Sequence, residues 1–85
     1  MEQVKRSYRS PRREAQAART REAIVEVTRR LLAAGGLSDV TMDAIAAEAG
    51  VSVQTVYATY GSKAAILSAL LDRLEAEALA ARASG

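Results

Sequence analysis

Residues 41–63 read Thr41-Met-Asp-Ala-Ile-Ala-Ala-Glu-Ala-Gly-Val-Ser-Val-Gln-Thr-Val-Tyr-Ala-Thr-Tyr-Gly-Ser-Lys63, and this stretch decides the fold. Thr41 is a favourable N-cap, and Asp43 falls in the first turn behind it, facing the positive end of a helix dipole. The helix so started runs from Met42 to about Ala49 and buries Met42, Ile45, Ala46 and Ala49. Gly50 ends it, because glycine takes positive φ without steric cost. Ser52 caps a second helix from Val53 to about Thr59, which Gly61-Ser62 breaks. Two short helices joined by a tight turn with glycine at the bend predict a helix-turn-helix, with the helices crossing at roughly 90–120°. Ala46 stands where the helices approach most closely, so only a small side chain fits. Ile45, Ala49, Val51 and Val56 supply the buried face, and Val53, Gln54, Thr55, Tyr57 and Ala58 are left pointing outward. A helical hairpin inside an ordinary bundle explains the apolar set, but not two helices this short with a capped turn between them.

Upstream, Ile24, Thr28, Leu31 and Leu32 fall at i, i+4, i+7 and i+8, with Val25 and Val27 widening the stripe. This predicts a helix from about Ala15, stopped by Gly35-Gly36. Leu37 to Val40 is a connector, with Leu37 turned back into the core. Downstream, Ser62 caps a further helix from Lys63, whose apolar residues are Ile66, Leu67, Leu70, Leu71, Leu74 and Ala78. Residues 1–14 hold little apolar material and carry Lys5, Arg6, Arg9, Arg12 and Arg13, which predicts a flexible basic arm. The expected fold is all-α: a small homeodomain-like bundle of three helices containing a helix-turn-helix, plus the start of a fourth. The expected division is an arm over 1–14, the helix-turn-helix unit over 15–62 and the fourth helix over 63–85.

The chain has 85 residues, enough for one small domain. It lacks Cys, His and Trp, which removes a disulfide staple, the usual zinc ligands and the usual catalytic bases and thiols. No catalytic residue, metal ligand or cofactor is therefore expected. Nineteen alanines against a single proline favour helix throughout. No apolar run is long enough to span a membrane, and the N-terminus lacks the apolar segment of a secretory signal, so a cytoplasmic protein is expected. The net charge of +2 hides an asymmetry. Residues 1–30 carry nine Lys/Arg against four Glu, and residues 31–85 carry three against six acids. A basic N-terminal third before a mildly acidic remainder points to a polyanion partner, or to a solubilising tail.

The stretch 41–63 resembles the N-terminal domain of the TetR family of bacterial transcriptional regulators. That family shows Thr before the second helix, then Ile-Ala, Ala-Gly-Val-Ser, a Thr-aliphatic-Tyr run, an aromatic residue and a Ser-Lys pair. Here these are Thr41, Ile45-Ala46, Ala49 to Ser52, Thr55-Val56-Tyr57, Tyr60 and Ser62-Lys63. Arg21, Ile24 and Gly36 also stand where the pattern has them, so the likeness runs from about Arg21 to Leu74. Tyr60 replaces the family's usual Phe, and Thr28 its usual Ala. The resemblance implies a ligand-controlled repressor whose long C-terminal helical domain binds a small-molecule effector and supplies a homodimer interface. That domain does not follow here, so a piece of a longer regulator is expected, monomeric by itself.

In a helix-turn-helix the second of the paired helices lies in the major groove. Gln54 can pair bidentately with adenine, and Val53 and the Thr55 methyl can meet a thymine methyl. The Ser52 and Thr55 hydroxyls can equally bond phosphate. The resemblance implies phosphate contacts by Tyr57, Thr41 and Lys63 and a further DNA contact at Thr59. The basic arm could track phosphates or enter the minor groove. The partner expected is double-stranded DNA, read as a palindromic operator. Simpler roles stand beside these: Thr41 and Ser52 as caps alone, Tyr57 as a core-edge aromatic, Lys63 as a solvated charge and Gln54 as an exposed polar residue. The competing function is a small helical protein-interaction module that binds no DNA and docks a partner through an apolar groove.

Overall fold

A computed structural model describes residues 11–84, all of it helix and short connections. Helix α1 spans Pro11–Gly35, a single 3-10 turn covers Leu37–Asp39, and α2 (Met42–Ala49), α3 (Val53–Tyr60) and α4 (Lys63–Ser84) follow. The all-α class and the helix-turn-helix are as the sequence predicts.

Four helix ends are set by local chemistry. Thr41 Oγ1 accepts the Ala44 N–H at 3.0 Å and opens α2. Gly50 closes it in the left-handed region, φ 74° and ψ 30°. The Val51 N–H then reaches the Ala46 carbonyl at 3.0 Å, and the Gly50 N–H turns toward Ala47, which satisfies the last carbonyls of α2. Ser52 Oγ accepts the Thr55 N–H and Ser62 Oγ the Ala65 N–H, each at 3.1 Å, so both later helices carry a serine cap.

The core gathers one or two residues from each element. Ile24 and Val27 of α1, Val40 before α2, Ile45 and Ala46 of α2, Val56 of α3 and Ile66 of α4 form a single cluster. Thr28 is buried beside it, and its Oγ1 donates to the Ile24 carbonyl at 2.7 Å, so the hydroxyl is satisfied within its own helix.

The structure corrects the sequence reading at four places. Helix α1 already includes Pro11, four residues before Ala15, so Arg12, Arg13 and Glu14 belong to a helix and not to the arm. Their surroundings are rich in Arg, Ala, Gln and Glu, all good helix formers, and proline is tolerated in a first turn. The remaining arm cations Lys5, Arg6 and Arg9 lie outside the described residues. Leu37 is 57% exposed, and Val40, at the end of the 3-10 turn, is the connector residue that enters the core. Val53 packs partly against the core cluster instead of pointing outward, and Thr55 is half-buried. On α4, Ile66 and Leu70 are buried, but Leu71, Leu74 and Ala78 are exposed.

Beyond Leu70 the helix meets α1 through charge. Arg73 pairs with Glu22 and lies 3.7 Å from Glu26, and Arg29 holds both carboxylate oxygens of Glu77, at 2.9 and 3.1 Å. Low numbers on α1 thus meet low numbers on α4, and the two long helices run in the same sense.

Candidate nucleic-acid interface

Helix α3 has one face given to the core through Val56 and one given to solvent. Gln54, Tyr57 and Ala58, at i, i+3 and i+4, are all exposed and form a continuous outer face. Tyr57 is half exposed, and its hydroxyl bonds nothing among the described residues. Gln54 likewise has no intramolecular partner among them, so its amide is available at both ends.

The hydroxyl groups divide by what their protons already do. Ser52 Oγ and Thr55 Oγ1 stand 2.9 Å apart and share one proton, while Ser52 also accepts the Thr55 N–H. Two hydroxyl protons serve one internal bond, so one remains for an external acceptor at the start of α3. Among the described residues Thr41 Oγ1 is used only as an acceptor, from Ala44, and its proton remains as well. Thr59 differs: it is half-buried, and Oγ1 donates to the Thr55 carbonyl at 2.7 Å. A hydroxyl has a single proton to give, so Thr59 in this rotamer can accept from a partner but not donate to phosphate.

Lys63 is the first residue of α4, exposed, and forms no ion pair among the described residues. Arg12 and Arg13 are exposed on the first turn of α1. The sequence reading passed over Arg21 as a site residue. It is exposed on α1, and its charge reaches the Tyr60 hydroxyl at the end of α3. Burial raises the Tyr60 phenol above its ordinary value, the cations Arg21 and Arg73 oppose that rise, and Glu22 adds to it. Arg13, Glu14, Ala17 and Arg21 line an open groove of about 500 Å³ along α1. Arg21 stands at a position of the family pattern, but that pattern gave it no role in the sequence reading.

Among the described residues no group of three His, Cys, Asp or Glu is placed to hold a metal ion, and no helix is long and apolar enough to cross a membrane. Among the described residues Glu22, Glu26 and Glu77 are held in ion pairs by Arg73, Arg29 and Arg30.

The family model described as bacterial regulatory proteins, tetR family, matches residues 24–70. Those limits coincide with the first buried residue of α1, Ile24, and the last buried residue of α4, Leu70. No curated protein and no solved structure matches the chain.

Proposed function

The chain belongs to the tetR family of bacterial regulatory proteins, and from that premise we propose that it binds operator DNA by laying α3 in the major groove. Its helix-turn-helix is the DNA-binding unit of a transcriptional regulator. The observation that carries the docking is the outer face of α3: Gln54, Tyr57 and Ala58 are exposed, mostly polar or small, and their side chains have no hydrogen-bond partner among the described residues.

Gln54 reads a base edge, with adenine as its bidentate partner. Exposed parts of Val53 and the Thr55 methyl meet a thymine methyl. Thr41, Tyr57, Lys63 and the free proton of the Ser52–Thr55 pair hold backbone phosphates. Thr59 contributes as an acceptor or through its methyl. Arg12 and Arg13 add charge from α1, and Lys5, Arg6 and Arg9 extend it along the phosphates or into the minor groove. The unit spans 15–62, with α1 extending it to Pro11, and α4 leads toward a C-terminal domain. In the whole regulator that domain binds a small-molecule effector and forms the homodimer that reads a palindromic operator, so the protein acts as a cytoplasmic repressor and not as an enzyme.

A protein-interaction module is the second reading, and one feature favours it: Leu71 and Leu79 are about two-thirds exposed on α4. The α3 face offers no such apolar surface. Binding of the chain to random-sequence duplex DNA at several salt concentrations separates the two. Phosphate-driven binding falls steeply as salt rises, whereas a docking module binds no duplex at any salt.

A further inference from the structure

Past Leu70, α4 presents two different sides. The side toward α1 is polar, with Arg73 on Glu22 and Glu26 and Glu77 held by Arg29. About a quarter turn away runs an apolar row that is largely uncovered. Leu71 is 66% exposed and Leu74 38%, and Ala78 and Ala81 are exposed as well. The row runs back into the domain through Leu67, which packs partly against the core cluster.

Residues 67, 71, 74, 78 and 81 are spaced by four and three in alternation, with leucine or alanine at each. This is the seam of a heptad, with 71 and 78 at a and 67, 74 and 81 at d. Glu77 then falls at g and Arg82 at e, the flanking positions that pair between helices. In a parallel pair a g residue meets the e residue five places further along its partner, and Glu77 and Arg82 are five apart with opposite charge. Arg82 is exposed and forms no ion pair among the described residues. Glu77 is half exposed, and its carboxylate has lone pairs left beside those that Arg29 uses. An antiparallel pair that matched Arg82 with Glu75 would centre between residues 78 and 79 and carry Leu71 past the last turn of the facing helix. Leu79 falls at b, outside the seam.

We propose that α4 is a self-association surface, on which a second copy of this chain docks in parallel along Leu71, Leu74, Ala78 and Ala81. Glu77 of each copy meets Arg82 of the other, so the same patch serves both sides. The rest of each domain sits against Ile66, Leu70 and Arg73, so the two bodies fall on opposite sides of the helix pair. Two heptads are fewer than the roughly three to four that mark a coiled coil by themselves, so the association is weak. It rests on α4 and not on the DNA-binding reading, and it runs against the monomer that the family resemblance implies for this stretch.

The test is sedimentation of the whole 85-residue chain from micromolar to millimolar concentration, beside Leu71→Glu, Arg82→Glu and Leu79→Glu, with melting curves to show that each folds. Wild type should pass from monomer to dimer. Leu71→Glu should weaken association about tenfold or more, through the loss of a buried leucine. Arg82→Glu should weaken it less, and Leu79→Glu should leave it unchanged. The chain has no cysteine, so Ala81→Cys supplies a single thiol. The parallel seam sets the thiols of two copies face to face, and mild oxidation should link them, whereas Ala76→Cys, on the opposite side of α4, should not link. A chain that stays monomeric throughout overturns the proposal and leaves this face to another partner. Equal weakening by Leu79→Glu overturns the seam, and a dimer that does not link through Ala81→Cys overturns the parallel register.

Discussion

Ser52 Oγ accepts the backbone N–H of Thr55 at 3.1 Å and stands 2.9 Å from the Thr55 hydroxyl. One serine therefore starts α3 and also orients the Thr55 hydroxyl at the end of the helix proposed to meet DNA. Under that proposal fold and function share an atom, and substitutions can pull the two apart.

Ser52→Ala removes the cap and should cost about 1 kcal/mol of stability. Ser52→Asp keeps a cap acceptor and a favourable charge at the helix start, so its melting temperature should stay near that of the parent. It sets a carboxylate against the phosphates, so its affinity for duplex DNA should fall well below that of Ser52→Ala. Melting curves and DNA titrations of both variants check this. Ser52→Asp binding as tightly as the parent would mean that Ser52 is a cap and no more.

Gly50 sits at φ 74°, and a Cβ built on it meets nothing within 4 Å. Any substitution there is penalised by the backbone alone and not by a clash. Gly50→Val should lose at least about 1–2 kcal/mol, a large share of the stability of a small domain. Gly50→Asn should lose less, because asparagine tolerates the left-handed region. Chemical denaturation midpoints in the order parent, Asn, Val are the expected result, and a Val variant as stable as the parent would contradict the turn.

The features legible in the sequence are those written locally. Thr41, Gly50, Ser52, Gly61 and Ser62 each act within a few residues, so the helix-turn-helix could be delimited almost to the residue. The start of α1 was hidden because Arg12 and Arg13 suit a charged arm and a helix equally well. Leu37 and Val40 are both apolar, and only the swing of the 3-10 turn decides which enters the core. The stripe of α4 marks Leu71, Leu74 and Ala78 as apolar, but periodicity does not say whether a neighbour exists to cover them. The pairs Glu22–Arg73 and Arg29–Glu77 join residues some fifty positions apart, and no local pattern shows which cations they leave free. For the interface, the residues could be named but not the state of their protons. That Thr59 has spent its own on Thr55 is a rotamer fact.

Tyr60 gives the domain a pH dependence of definite sign. Its phenol is raised above 10.0 in the folded chain, chiefly by burial, with Arg21 and Arg73 opposing the rise. The unfolded chain therefore loses this proton first as pH increases. The associated stability is fully present below pH 10.0 and is lost as pH rises through the higher folded value. Tyr60→Phe, which restores the residue usual in the family, should fold and should show a shallower loss of stability above pH 10 than the parent. Denaturation at pH 8 and at pH 10.5 checks this, and equal losses in both proteins would contradict it.

The central claim is that α3 reads base edges while its neighbours hold phosphates. Selection of bound sequences from a random duplex library, run in parallel with wild type, Gln54→Ala and Lys63→Ala, tests it most directly. Wild type should enrich a short half-site. Gln54→Ala should lose preference at one base pair, by about 1–3 kcal/mol if its contact is bidentate. Lys63→Ala should enrich the same half-site with uniformly weaker binding, because a phosphate contact carries no sequence information. If Gln54→Ala leaves the half-site intact while Lys63→Ala alters the base preference, α3 does not lie in the groove as described.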